Sequence, residues 1–142
     1  MSAWTQLEAD RAFTAASRAR RRAELVARLR RHCRGKLPVF DQPLRRRASE
    51  SGERGVSEIP VNSICATTEP NRSAQFDGSF RPAPTTRHRW QHVWEAEERG
   101  TPLPPISVLH TGCGYALRDG HHRVSVARAR GATTIRAVVE AA

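Results

Sequence analysis

The sequence predicts an α+β protein in which a small mixed sheet with helices follows a basic N-terminal helical arm. Residues 3–34 contain no Gly or Pro and repeat apolar side chains at helical intervals, which indicates one long helix. After residue 57, short β-branched segments alternate with helical ones. At Tyr115–Gly131 a strand, a tight turn and a helix follow one another directly. We therefore predict a helical arm over 1–36, a linker over 37–57 and a domain over 58–142.

Each element of this fold has a local signal in the sequence. Ser17 is a candidate break in the first helix, and Pro60 places the first strand at a sheet edge because proline cannot donate to a ladder. Gly100 and Gly131 end two later helices. The predicted elements are a helix over 3–34, a strand over 59–64, a helix over 86–99, strands over 103–109 and 115–118, a helix from His122 to 130 and a strand over 134–139.

The long connection over residues 66–84 has no regular pattern, and loops of this length are functional or disordered. Phe76 and Phe80 can hold it against a core, which favours an ordered loop. Arg72 and Arg81 flank these aromatic residues. They are candidates for a phosphate site, and solvent-facing arginines are the alternative.

Positive charge is concentrated in the first third of the chain. The formal net charge is +10, and residues 1–47 hold 13 Arg or Lys against four Asp or Glu, a net of +9. A basic arm on a neutral domain suits an acidic partner, so we expect DNA contact through residues 11–36. A solvated helix face, self-association as a homodimer and binding of an acidic protein are alternatives that charge alone does not separate.

Several classes of protein are not expected. No apolar run approaches membrane-spanning length and the start lacks a signal peptide, so we expect a cytoplasmic protein without a membrane partner. Three widely spaced cysteines argue against a disulfide framework or a zinc ribbon. His88 and His92 lie four apart and could hold a metal on one helix face, but we expect an exposed pair and no metal site.

The candidate site is the turn at Asp119-Gly120 and the first helical turn after it. Amide N–H groups point outward at a helix start, and the helix dipole favours an anion there. Arg123 can clamp such an anion, and its alternative is an ion pair with Asp119 or Asp77. His122 is a candidate base or phosphate donor, with a capping or core histidine as the alternative.

Leu103-Pro-Pro-Ile106, the following hairpin and Asp119-Gly-His-His-Arg123 together resemble the ParB/sulfiredoxin-like superfamily over roughly residues 57–140. The basic first helix and the Phe76-Asp77…Phe80-Arg81-Pro82 loop are similar to small bacterial ParB-like members of unassigned activity. The resemblance implies that this helix start binds the phosphates of a nucleotide. The implied cofactor is a nucleoside triphosphate, CTP or ATP, with Mg²⁺. Asp119 is a candidate ligand of the Mg²⁺, and a purely turn-forming aspartate is the alternative.

The sequence also departs from its relatives in this superfamily. Sulfiredoxins carry a reactive cysteine where this chain has His121, so sulfinic-acid reduction is not expected. Free-serine kinases carry Asp-Gly-x-His-Arg and use a carboxylate from an earlier loop, for which Asp77 or Glu69 could serve here; a phosphotransferase is therefore the enzymatic alternative. The resulting candidates are Asp77, Asp119 and His122 for catalysis, and Gly120, His121, His122, Arg123, Arg72 and Arg81 for phosphate binding.

Overall fold

The protein has a mixed α+β fold, as the sequence predicts. The computed structural model describes residues 3–29, 36–40, 55–112 and 114–141. These parts contain four α-helices and five β-strands: α1 (Ala3–Leu29), β1 (Val56–Pro60), β2 (Ile64–Thr67), α2 (Pro70–Ser73), α3 (Arg87–Glu98), β3 (Ile106–Thr111), β4 (Gly114–Asp119), α4 (His121–Ala129) and β5 (Thr134–Ala141).

The five strands form one mixed sheet in the order β1-β5-β3-β4-β2. The pairs β1–β5 and β3–β4 are antiparallel, whereas β3–β5 and β2–β4 are parallel. The hairpin of β3 and β4 therefore lies inside the sheet, with a neighbour on either side. Strand β4 is hydrogen-bonded to a neighbour on each side and leads directly into α4. The start of α4 is therefore held by a strand that is paired along both edges.

The main core lies between the sheet and α4. Val108 of β3, Leu117 of β4 and Val124 of α4 are fully buried in one cluster. Phe76 and Phe80 join this cluster from the long connection before α3, so that connection is ordered. Its backbone forms the short helix α2, which the sequence pattern did not predict.

Helix α1 is attached to the domain through its first half. The Phe13 ring meets Trp90 of α3 edge-to-face at 5.5 Å, and Asp10 accepts hydrogen bonds from Arg87 and Gln91, each at 2.8 Å. Helix α1 runs without interruption past Ser17, so the break considered there is wrong. The continuous helix is consistent with the absence of Gly and Pro in the segment.

The predicted strand over residues 59–64 is wrong in its bounds. Strand β1 ends at Pro60, a 3₁₀ turn covers Val61–Ser63, and β2 begins at Ile64. Proline has no N–H to continue a ladder, and the Ile64 N–H donates to the Val61 carbonyl, which closes the 3₁₀ turn. The alternating apolar residues thus belong to two strands at opposite edges of the sheet.

The described ends of the predicted linker, residues 37–57, take part in the domain. Leu37 is buried in the main core, Val39 pairs with Thr67, and β1 already begins at Val56. Residues 30–35 and 41–54 lie outside the described parts, so the division into arm, linker and domain stays a prediction. None of the helices in the described ranges combines the length and apolar character that crossing a bilayer requires.

Candidate functional site

The candidate site begins at the corner where β4 becomes α4. Gly120 occupies this corner with φ of +107°, a left-handed conformation that side chains rarely adopt. A Cβ atom here would lie 2.5 Å from Cγ2 of Ile106, so the backbone also passes too close to β3 for any side chain. Glycine is therefore required at this turn for two independent reasons.

The first turn of α4 presents backbone donors without a side-chain cap. The Val124 N–H donates to the Gly120 carbonyl at 3.0 Å and begins the helical ladder. The amides of residues 121–123 precede that bond and have no acceptor within the helix. Gly120, the residue before the helix, has no side chain with which to cap these amides. A ligand with several acceptor oxygens matches such a row of N–H groups.

A cavity of about 580 Å³ lies over this helix start. Its walls come from α2, α3, the segment before β3 and the β4–α4 corner. They contain three arginines, four histidines and a single carboxylate. The lining residues are Arg72, His88, Arg89, His92, Val93, Leu103, Pro104, Asp119, Gly120, His121, His122 and Arg123.

His121 lies at the floor of the cavity and is 4% exposed. Its Nε2 atom is 2.6 Å from Oγ1 of Thr67 in β2, and its ring stacks on Phe76 with centroids 6.1 Å apart. Burial, and then the charge of Arg72, lowers the pKa of His121 to about 4. His121 is therefore neutral at physiological pH and holds β2 against the start of α4.

His122 is half-buried in the cavity wall and meets the Phe76 ring edge-on at 5.3 Å. Burial lowers its pKa to about 4, with further lowering by Arg72 and Arg89. A neutral imidazole can donate one hydrogen bond to a phosphate but carries no charge. A group with this pKa is also a weak general base at neutral pH, because its affinity for a proton is low.

Arg123 lines the cavity, yet its guanidinium is occupied by the protein. Nη1 donates to the carbonyls of Pro104 and Pro105, the latter at 3.1 Å, and Nη2 pairs with Oδ2 of Asp119 at 3.1 Å. The ion pair with Asp119 was the alternative to the anion clamp, and it is the arrangement found. Arg123 thus fixes the segment before β3 against the start of α4.

Asp77, a candidate for catalysis, and Arg81, a candidate for phosphate binding, do not line this cavity. The Asp77 carboxylate accepts the N–H groups of Ser79 at 2.9 Å and Arg81 at 2.8 Å, and it pairs with the Arg81 guanidinium at 3.3 Å. These contacts close a tight turn in the loop before α3. Arg81 lines a different cavity, beside α1.

Arg72 is the predicted loop arginine that does reach the cavity. Its Nη1 donates to Oε1 of Gln75 at 2.9 Å, and its charge contributes to the lowered pKa of both histidines. Arg89 of α3 is a further cationic lining residue that the sequence analysis missed. Its signal is helical spacing, since Arg89, His92 and Val93 lie three and four residues apart on one face.

His88 and His92 also line the cavity, and their ring centroids are 4.5 Å apart. Within the described residues, no three His, Cys, Asp or Glu side chains come together in a way that could hold a metal ion. The pair therefore adds hydrogen-bonding imidazoles to the cavity wall.

No family model matches the chain, and no curated protein matches it. Among solved structures, the chain is similar to sulfiredoxin from Arabidopsis thaliana. The TM-score is 0.45 at 18% sequence identity, and the match covers 62% of this chain and 86% of that one.

Proposed function

We propose that the protein binds the phosphate groups of a nucleotide in the cavity over the start of α4. The observation that carries this proposal is the charge of the lining: three arginines face one carboxylate, which is already paired with Arg123. The uncapped amides of α4 add donors directed at the same space. An anion would compensate both the excess positive charge and the helix dipole.

The cavity also suits the rest of a nucleotide. Its volume of about 580 Å³ falls in the usual range for small-molecule sites, roughly 300–1,000 Å³. Val93, Leu103 and Pro104 give it an apolar wall against which a base or sugar can pack. The Asp119 side chain is 80% exposed and is the carboxylate that could contact Mg²⁺ carried by a triphosphate. We therefore propose CTP or ATP with Mg²⁺ as the ligand.

The proposal is tested by titrating the full-length protein with CTP, ATP, GTP and UTP, with and without Mg²⁺, and recording heat release and thermal shift. Arg72→Ala should weaken binding by about tenfold to a hundredfold, because it removes a charged donor from the cavity. Arg99→Ala is the matched control, since Arg99 is exposed at the end of α3 and does not line the cavity. Binding that is absent, or equal in the two variants, contradicts the proposal.

Phosphoryl transfer to a small acceptor, as in free-serine kinases, is the alternative use of the same cavity. Asp119 and His122 lie in the wall, but Asp77 does not. The neutral His122 makes a weak base and Asp119 is already paired with Arg123, so we propose binding without turnover. Phosphorylated product from Mg-ATP and free serine, lost in Asp119→Asn, would support the enzyme instead.

Contact with DNA through α1 is a second proposal, which rests on the exposure of its arginines. Arg18, Arg21, Arg22 and Arg28 are exposed. Two of the three acidic residues of the helix are already in ion pairs, Asp10 with Arg87 and Glu24 with Arg20. A row of exposed cations on one helix matches a phosphate backbone.

Self-association is the rival function for the same helix. Trp4 is 73% exposed and Leu29 is 85% exposed, with Leu7, Leu25 and Val26 also at the surface. Burial of such side chains between two copies would form a dimer that salt does not weaken. Sedimentation at low and high salt separates this outcome from DNA binding, which salt weakens steeply.

A further inference from the structure

Helix α1 carries a line of exposed side chains, which we call the outer stripe, on the side that faces away from the domain. Its members lie seven or four residues apart, intervals that return to the same side of a helix: Trp4, Arg11, Arg18 and Arg22. All four are exposed, whereas Ala9 and Phe13 on the opposite side of the helix are buried. The stripe is about 27 Å long at roughly 1.5 Å per residue.

The arginines of the outer stripe are free to meet a partner. Within residues 3–29 and the other described ranges, no carboxylate forms an ion pair with Arg11, Arg18 or Arg22. The three arginines also outnumber Glu8, the exposed and unpaired carboxylate near the start of the helix. Guanidinium groups in a line match a chain of phosphates, because each phosphate accepts charge-assisted hydrogen bonds.

Trp4 adds an aromatic surface that the charge of the stripe does not explain. Its side chain is 73% exposed and makes no ring contact with the described residues, whereas Trp90 and Trp94 stack on each other. A single exposed apolar side chain is ordinary, but this one lies in line with three unpaired cations. Sites for single-stranded nucleic acid combine cations that follow the backbone with aromatic rings on which bases stack. The outer stripe has both features.

A duplex and a second copy of the chain match the outer stripe less well. The bases of a duplex are already stacked in pairs, so Trp4 would meet no free base face. A duplex is also stiff over about 150 base pairs and its strands wind away from a straight helix, whereas a single strand can follow the whole stripe. Two copies packed along the stripe would bring three arginines from each copy together, and like charges at an interface repel.

We propose that the outer stripe of α1 binds single-stranded DNA, with a base stacked on Trp4 and the phosphates along Arg11, Arg18 and Arg22. This rests on the DNA contact proposed above for α1 and names the form of the DNA. The arginines supply affinity for any chain of phosphates. Stacking on Trp4 adds a preference for unpaired bases, so the two contributions can be measured separately.

The test measures the affinity of the full-length protein for three labelled probes by fluorescence anisotropy. The probes are an oligothymidylate of about 12 nucleotides, an abasic oligonucleotide of the same length, which has the phosphates without the bases, and a duplex of the same length. We expect the oligothymidylate to bind about tenfold more tightly than the abasic probe, the factor that one stacked base contributes. Unlabelled oligothymidylate should also quench the fluorescence of Trp4 saturably.

Three variants separate stacking from charge. Trp4→Leu keeps an exposed apolar side chain on the helix but removes the ring. It should weaken oligothymidylate binding by about tenfold, abolish the quenching and leave the affinity for the abasic probe unchanged. Trp4→Phe keeps an aromatic face and should recover most of the affinity. Arg18→Gln should weaken the binding of both probes, because it removes a phosphate contact.

The outcomes distinguish this proposal from the DNA contact on which it rests. Equal affinities for the oligothymidylate and the abasic probe, full affinity in Trp4→Leu, or tighter binding of the duplex would overturn the single-strand proposal and leave the DNA contact standing. Absence of binding to all three probes would overturn both. A dimer that dissociates in Trp4→Leu, with no probe bound, would assign the stripe to a second copy instead.

Discussion

At the scale of single residues, the corner at Gly120 should control both stability and the site. Gly120→Ala forces a Cβ atom against Ile106 and a side chain into a left-handed conformation. We expect a loss of about 2–5 kcal/mol in the free energy of unfolding, from strain and overpacking together. Gly131→Ala is the matched control, because Gly131 has φ of +75° with no atom within 4 Å of its Cβ position. It should cost only about 1–2 kcal/mol. Equal losses in urea denaturation would show that contact with Ile106 is unimportant.

The neutral state of His121 gives a prediction for pH dependence. Its pKa is about 4 in the folded protein and near 6.5 in the unfolded chain, so between these values the unfolded chain binds more protons. Stability should therefore be complete above pH 6.5 and fall as the pH drops towards 4, by roughly 3 kcal/mol for this residue. His121→Gln should remove this part of the dependence, whereas a slope unchanged in this variant would contradict the assignment. Urea midpoints across this pH range provide the measurement.

The β4–α4 corner at which the candidate site is proposed could be predicted from sequence because its signals are local. Asp119-Gly120 and the apolar spacing after it specify a turn and a helix start without reference to the rest of the fold. The cavity-lining residues that come from other helices and loops could not be predicted in the same way. Arg72 and Arg81 looked equivalent in the loop, and only the closed turn around Asp77 sends Arg81 to another cavity. Arg89 could not be assigned to the site without knowing which face of α3 lies towards the corner at Gly120.

At the scale of elements, periodicity predicted the long helices and the β3–β4 hairpin well. Periodicity failed where one run of apolar residues is divided between two elements. Ile59 and Ile64 looked like one strand, but Pro60 and the turn at Val61–Ser63 assign them to the two edge strands. Parallel pairing of β2 with β4 joins residues about 50 positions apart, which a local pattern cannot reveal.

The attachment of α1 includes one buried aromatic contact, between Phe13 and Trp90, which can be tested separately. Phe13 is 3% exposed and packs with Trp90 and Val126. Phe13→Ala should lower the free energy of unfolding by about 3–5 kcal/mol and expose the amides of α1 to hydrogen exchange. Trp4→Ala, in the same helix but 73% exposed, should change stability by no more than about 0.5 kcal/mol. If the two variants behave alike in urea and in exchange, α1 is not held by this cluster.

At the scale of the whole molecule, positive charge among the described residues includes the exposed face of α1 and the cavity over the start of α4. DNA binding by α1 should be tested by charge removal rather than by truncation, because deletion of the helix would also remove Phe13 from its cluster. Replacing Arg18, Arg21, Arg22 and Arg28 by Gln keeps the helix and removes four exposed charges. The slope of log affinity against log salt should then decrease in magnitude by about 0.9 for each arginine that contacts a phosphate. Gln at Arg99 and Arg136, which are exposed on the domain, is the control; it removes two charges and should leave the slope unaltered. If the slope changes equally per charge removed in the two variants, DNA binding depends on overall charge and not on α1. Nucleotide binding should remain intact in both variants.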